Sequence, residues 1–330
     1  MRWFLGIVAV IAIALVGGFF YLNQPDIPRS VLEAKYATPP SKFIDLPDGA
    51  RVHYRDRGPR DAEVLVLLHG SNASLFTWEP WAKALSDRFR VVTVDLPGHG
   101  LTGAVPNHDY SQKGMSDFVN EFVDKIGLAK FALGGNSMGG GIAAYYAETH
   151  PDRLTHLILI DVGGMPVKQG DRIPLAFKLA GQPWARPILL HVTPRSLVSE
   201  GLNDAIVRKS IITDAMIDEY WDFARMDGTR EATAERFSLG FGDRNYIKDH
   251  TGAITVPTLI LWGEEDHLVP VAAAHEFNEA IAHSKLIIYP ATGHIPMEEV
   301  AQQSAADVRA FLSAPQTETG SQTSAMAPAH

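Results

Sequence analysis

The sequence predicts an α/β fold in which a mostly parallel sheet carries helices on both faces. Three observations lead there. Val64–Leu68 and Val91–Asp95 are almost wholly apolar, as strands covered on both sides must be. Strand-like and helix-like segments alternate from there to Asp161, the pattern of parallel strands joined by crossover helices. Within that alternation, Gly134-Gly135-Asn136-Ser137-Met138-Gly139-Gly140 lies between an apolar run, Lys130–Leu133, and a helical segment, Ile142–Thr149. With 330 residues and 46% hydrophobic content, the chain can bury a substantial core.

In chain order, residues 1–22 read as a membrane anchor. Trp3–Leu22 carries no charge and meets the length of about 20 apolar residues that a helix needs to span a bilayer. Arg2 and the terminal amine precede the run, and aromatic residues stand at both ends. A cleaved signal peptide is the competing reading, but its small-x-small site, Ala12-Ile13-Ala14, would lie inside the apolar run. The leading positive charge predicts a single-pass anchor with the rest of the chain exported, to a periplasmic or other extracytoplasmic face; Arg29 and Lys35 blunt that asymmetry. The chain contains no cysteine, which fits an oxidising compartment. Residues 23–41 read as a proline-bearing tether.

The core is expected over residues 42–164 and 251–313. Phe43–Leu46 and Val52–Arg57 form an antiparallel pair around the turn Pro47-Asp48-Gly49, and helices follow at Trp78–Ser86 and Ser111–Ile126. Beyond Asp161 the alternation breaks. Pro174–Ala180, Pro187–His191, Leu202–Ile212 and Asp214–Arg225 are helical in pattern with no strand between them, which places a helical cap over residues 165–250. Thr258–Trp262 and Lys285–Tyr289 return to the strand pattern. Residues 314–330, rich in Ala, Ser, Thr, Gln and Pro, read as a disordered tail.

The Gly-x-Ser-x-Gly turn carries the chemistry. Strand, tight turn, helix is the context in which this pentapeptide forces its serine into a strained conformation with the hydroxyl exposed, and Gly135 and Gly139 are then required sterically. Ser137 is the candidate nucleophile. A serine needs a base to take its proton and a carboxylate to orient that base, and in this kind of sheet they follow in the order acid, then histidine. Asp266 follows the strand ending at Trp262, and His294 follows the strand ending at Tyr289. Both therefore sit past the C-terminal ends of strands, where open α/β sheets place their ligands. Asp161, at the end of Leu157–Ile160, is the rival acid. Glu264, Glu265 and His267 read as loop residues, and His69 and His99 as structural hydrogen-bonders. A net charge of −9 argues against nucleic acid or an anionic lipid surface as partner, and no cofactor or metal motif is evident. Gly139-Gly140-Gly141 reads as close helix–sheet packing rather than a dinucleotide site.

These residues resemble the α/β-hydrolase superfamily over roughly residues 42–313. The signatures are His69-Gly70, Asp95-Leu96-Pro97-Gly98-His99-Gly100, Gly135-Asn136-Ser137-Met138-Gly139, Trp262-Gly263-Glu264-Glu265-Asp266 and Gly293-His294. The resemblance implies eight mostly parallel strands with the cap inserted after the sixth. The elbow is most similar to those of carboxylesterases and of the C–C hydrolases of aromatic ring cleavage. An oxyanion hole would take one N–H from Met138, at the helix N-terminus, and by resemblance a second from Ser71, with Asn72 the substitute. The loop departs from the Gly-Gly-Gly form of many lipases and ring-cleavage hydrolases. Ester hydrolysis of a hydrophobic or aromatic small molecule, without a cofactor, is the activity implied. C–C hydrolysis, perhydrolysis and a non-turnover ligand receptor remain alternatives. Haloalkane dehalogenases and epoxide hydrolases use a carboxylate nucleophile, against which Ser137 argues. An apolar cap, including Leu175, Phe177, Leu179, Trp184, Ile188, Leu189, Leu190, Met216, Trp221 and Phe223, favours a hydrophobic group in the pocket.

Overall fold

The computed structural model describes residues 3–7, 17–19, 22–166, 175–180, 182, 184–239 and 250–315. Eight strands form one sheet: β1 (Ser41–Asp45), β2 (Arg51–Arg57), β3 (Val64–Leu68), β4 (Arg90–Val94), β5 (Phe131–Asn136), β6 (Leu154–Ile160), β7 (Thr258–Gly263) and β8 (Ser284–Tyr289). Their spatial order is β1-β2-β4-β3-β5-β6-β7-β8. β1–β2 and β2–β4 pair antiparallel and all other neighbours pair parallel, as the alternation of elements predicts.

Alternate side chains of the central strands feed two separate cores, which is why these strands are apolar at every position. On β3, Val66 and Leu68 enter one core while Leu65 and Leu67 enter the other. The first lies under α3 (Gln112–Lys125), α4 (Met138–Thr149) and α10 (Ala272–Ala280); the second lies under α2 (Glu79–Leu85) and α12 (Ala301–Leu312). Ser111 caps α3 by accepting the Gly114 N–H at 3.0 Å. Helix α4 packs with small residues: a Cβ at Gly140 would lie 2.6 Å from Val162 Cγ2.

Between β6 and β7 the described elements are helical: α5 (Leu175–Ala180), α6 (Arg186–Leu189), α7 (Arg195–Ala205), α8 (Asp214–Ala224) and α9 (Thr229–Ser238), with 3-10 turns at Lys209–Ile211 and Thr251–Ala253. The boundaries differ from the sequence pattern in two places. The helix expected over Leu202–Ile212 begins earlier, after Pro194, and stops at Ala205. The N–H groups of Val207 and Arg208 instead turn onto Glu299 Oε2, at 2.9 and 2.8 Å, which ends the helical ladder. Helix α9 lies within the expected helical cap but is not distinguished as a segment by the sequence pattern, because its polar faces mask any apolar period.

Within the span read as a tether, Arg29–Tyr36 forms a helix, α1. Leu32 buries itself against Leu101, Phe223 and Met226, and Asp222 accepts hydrogen bonds from Lys35 and Tyr36, so this segment docks on the cap. Of the expected anchor over residues 3–22, residues 8–16 and 20–21 lie outside the described residues. Among the described residues no helix is long and apolar enough to cross a membrane. Of the expected tail, residues 316–330 also lie outside them, as do cap residues 167–174 and 240–249.

Candidate active site

The turn at the end of β5 is built from contacts that exclude side chains. A Cβ on Gly135 would lie 2.2 Å from the Gly139 carbonyl oxygen, and one on Gly139 would lie 2.3 Å from that of Leu68. Between them Ser137 is held at φ 53°, ψ −114°, a conformation a residue with a side chain rarely adopts. Its backbone is fixed on both sides: the Ser137 N–H donates to Ile160 O at 2.9 Å, and its carbonyl accepts from Gly141 at 3.1 Å.

Asp266 and His294 lie at the ends of β7 and β8, on loops that touch. A Cβ on Gly263 would sit 2.0 Å from the Gly293 carbonyl oxygen, and the Glu265 N–H donates to Thr292 O at 3.0 Å. His294 Nδ1 lies 2.7 Å from Asp266 Oδ2. The carboxylate can only accept, so Nδ1 carries the proton and Nε2 is left with a free lone pair. The other carboxylate oxygen, Oδ1, accepts the N–H groups of Leu268 and Val269 at 2.8 and 3.1 Å. Ser137 and His294 both line one cavity, and no hydrogen bond joins Ser137 Oγ to the ring here. Such contacts often tighten only when substrate binds.

Asp161 stands immediately behind this pair. It is fully buried at φ 45°, and its Oδ1 accepts the Gly263 N–H at 2.9 Å. Burial, and after it the neighbouring Asp266 carboxylate, pushes its pKa well above the usual carboxylate range, which favours its neutral form. Oδ2 makes no hydrogen bond of good geometry, and Asp266 is the carboxyl beside it. The histidine bonds to Asp266, and the rival acid does not reach it with a hydrogen bond. Asp161, Asp266 and His294 could offer one ligand atom each within 4.8 Å of one another. Both oxygens of Asp266 are already engaged by protein donors, an arrangement better matched to orienting an imidazole than to holding an ion.

Ser71 lines the cavity together with Ser137, and Met138 opens α4. Among the described residues the N–H groups of Ser71 and Met138 donate to no protein acceptor. Asn72, the substitute donor, is in the left-handed region at φ 61° and also lines the cavity. His69 and His99 are buried and bound to backbone: His69 Nε2 accepts the Leu96 N–H at 3.0 Å, and His99 Nδ1 lies 2.8 Å from Pro97 O.

Two positioning residues escaped the sequence reading. Asn136 Nδ2 donates to Ile160 O and to His294 O, at 3.3 and 3.0 Å, and so ties the strand that leads into Ser137 to the His294 loop. Glu299 accepts the Gly293 N–H at 2.8 Å on Oε1 while Oε2 takes Val207 and Arg208, clamping that loop to the cap. Asn136 stood in view inside the elbow motif. The Glu298-Glu299 pair reads in sequence as ordinary helix surface.

The cavity encloses about 230 Å³. Leu189, Leu190, Leu202, Phe223 and Phe237 of the cap line it, facing Leu268 and Ile295 of the core. Other apolar cap residues do different work. Leu175, Trp184 and Ile188 are exposed, Met216 packs on the second core, and Trp221 donates to Thr193 O while stacking on Arg225. The side chain of Phe177 lies outside the described residues.

Comparison with known proteins agrees with the fold. A family profile described as alpha/beta hydrolase fold matches residues 63–300. The chain is 26% identical over 298 residues to a 2-hydroxy-6-oxo-6-(2'-aminophenyl)hexa-2,4-dienoic acid hydrolase of Metapseudomonas resinovorans, covering 88% of this chain and 96% of that one. It is 28% identical over 292 residues to a monoacylglycerol lipase of Xenopus laevis, covering 80% of each. Among solved structures, a membrane phospholipase A described as a bacterial virulence factor matches with TM-score 0.67 and 25% identity, over 94% of this chain and 97% of that one.

Proposed function

This chain belongs to the α/β hydrolase fold family, and we propose that it is a serine hydrolase cleaving a carboxylic ester of a hydrophobic or aromatic small molecule. The observation that carries this reading is a serine strained at φ 53° that shares one apolar cavity with a histidine bound to Asp266 at 2.7 Å. Ser137 Oγ attacks the ester carbonyl as His294 Nε2 takes its proton, and the N–H groups of Met138 and Ser71 hold the oxyanion. His294 then protonates the leaving alcohol. In the second half Nε2 takes a proton from water, whose oxygen attacks the acyl-enzyme; the bond to Ser137 Oγ then breaks, Nε2 returns the proton to that oxygen, and the acid leaves. Asp266 keeps the imidazole in the right tautomer and stabilises it while charged. Loss of one oxyanion N–H costs about 3 kcal/mol in barrier.

Ser137→Ala tests the assignment. Hydrolysis of short p-nitrophenyl esters is expected to vanish while the melting temperature stays put; undiminished activity would refute it. C–C bond hydrolysis is the second reading, supported by the Metapseudomonas relative and the Gly-Asn-Ser-Met-Gly-Gly elbow. It uses the same side chains, so turnover of a vinylogous diketone measured beside an ester separates the two.

The protein is further proposed to be held at a bilayer by residues 3–22, with its catalytic part on the extracytoplasmic side. The charge-free, aromatic-flanked run supports this, as does the likeness to a membrane phospholipase A. Full-length protein should stay with membranes through alkaline carbonate extraction; release into the supernatant would count against the anchor.

A further inference from the structure

We infer that Arg236, on cap helix α9, is a positioning residue for the oxyanion hole, supplying fixed positive potential behind its two N–H donors; the inference rests on the serine hydrolase reading. Arg236 Nη2 donates to Asn72 Oδ1 at 3.1 Å, and Nη1 lies 3.6 Å from Met138 Sδ. Asn72 directly follows Ser71, one proposed donor, and Met138 is the other. One guanidinium therefore touches a side chain on each of the two segments that carry the proposed donors. Its neighbours on α9, Thr233 and Phe237, line the cavity, while Arg236 stands one layer behind the wall.

Among the described residues no carboxylate pairs with Arg236; its partners are an amide oxygen, a thioether and the face of the Phe237 ring, 4.6 Å from the guanidinium carbon. A half-buried guanidinium held only by neutral groups is kept most readily where negative charge develops during the protein's work. Burial pulls its pKa down to about 10, which leaves it cationic at neutral pH. Burial, and after it this same charge, holds His99 well below the ordinary imidazole value, so His99 stays neutral beside it. Arg236 also braces the left-handed turn at Asn72, and with it the orientation of the Ser71 N–H. Because the residue comes from the cap, the hole is complete only when the cap is seated.

Phosphonylation of Ser137 by a fluorophosphonate reads this directly, since oxygen charge builds in that step and no natural substrate is needed. The rate is followed against probe concentration, giving a limiting rate and a saturation constant. Arg236→Gln is expected to lower the limiting rate about tenfold with the saturation constant unchanged, and Arg236→Lys to recover most of it. Equal rates for wild type and Arg236→Gln overturn the inference. So does a loss confined to the saturation constant, or a lysine variant no better than glutamine. Should the glutamine variant not fold, the lysine variant still decides. A buried lysine gives up its proton earlier, so its limiting rate should fall above about pH 8 where the wild type holds level; matching profiles would sink the proposal. A wild type that never labels refutes the serine hydrolase reading itself, and with it this inference. Labelling that is indifferent to Arg236 refutes only the latter.

Discussion

The rim of the sheet and the cap above it are built by different means. At the rim, backbone meets backbone: the sites where Gly135, Gly139 and Gly263 would carry a Cβ lie 2.0 to 2.3 Å from main-chain oxygens. In the cap, a glycine inside a helix, Gly201 of α7, has nothing within 4 Å of that position. Rim geometry is thus enforced residue by residue, whereas the cap is held by side-chain packing that many sequences satisfy. The proposed catalytic residues lie on the inflexible part, and most of the apolar cavity lining on the permissive one.

Four predictions test that contrast, beginning with the largest effect. Asp266→Asn keeps the shape of the rim but removes the charge facing His294 Nδ1, and kcat for an aryl ester should drop by about 10⁴. Steady-state kinetics check this. A drop of less than tenfold would move the acid role to Asp161, and Asp161→Asn would then show the large loss. Next, Gly139→Ala forces a methyl to within 2.3 Å of the Leu68 carbonyl oxygen and should cost about 2–4 kcal/mol in urea unfolding.

The third concerns the seam where the cap meets the core. Burial, and after it Glu298 and Asp95, push Glu219 of α8 up to about 8. Burial likewise raises Glu298 of α11 (Pro296–Glu299) to about 7, with Thr77 Oγ1 bonding to it at 2.5 Å and Glu299 adding repulsion. Arg55 is the cation that faces Glu219, and Ser74 its hydroxyl partner. Both carboxyls are neutral in the folded protein at acid pH. Their contribution to stability is whole below the ordinary glutamate value near 4.5 and drains away as pH rises toward 7 and 8. Glu219→Gln should therefore raise the melting temperature by about 3 °C at pH 8.5 and leave it unchanged at pH 4. A gain of equal size at both values would contradict the burial account. The smallest effect is expected in the cap, where Gly201→Ala has room and should add about 0.5–1 kcal/mol of stability. Destabilisation there would erase the distinction between the two regions.

The same distinction explains what could be read in the sequence. The places of the candidates Ser137, Asp266 and His294 at strand ends were legible because tight turns there demand glycines at fixed offsets, as at Gly135, Gly139, Gly263 and Gly293. The sheet was legible because strands covered on both faces must be apolar throughout. Helix α9 and the early start of α7 were not, since a polar helix leaning on others carries weak periodicity and the stop at Ala205 depends on a distant glutamate. Glu299, Glu219 and Arg236 look like solvated helix charges until the tertiary fold buries the first and half-buries the other two. The helix Arg29–Tyr36 was hidden for a related reason: only Leu32 is buried on it, and its partners Phe223 and Met226 lie almost two hundred residues away.

The central claim is that residues from three distant strand ends act as one relay on Ser137. Peptide mass spectrometry after brief fluorophosphonate treatment tests it most directly. The account predicts a single adduct on the peptide bearing Ser137, lost or slowed by at least about a thousandfold in His294→Ala. An adduct on a different residue, or labelling of Ser137 at an undiminished rate without the imidazole, would contradict it.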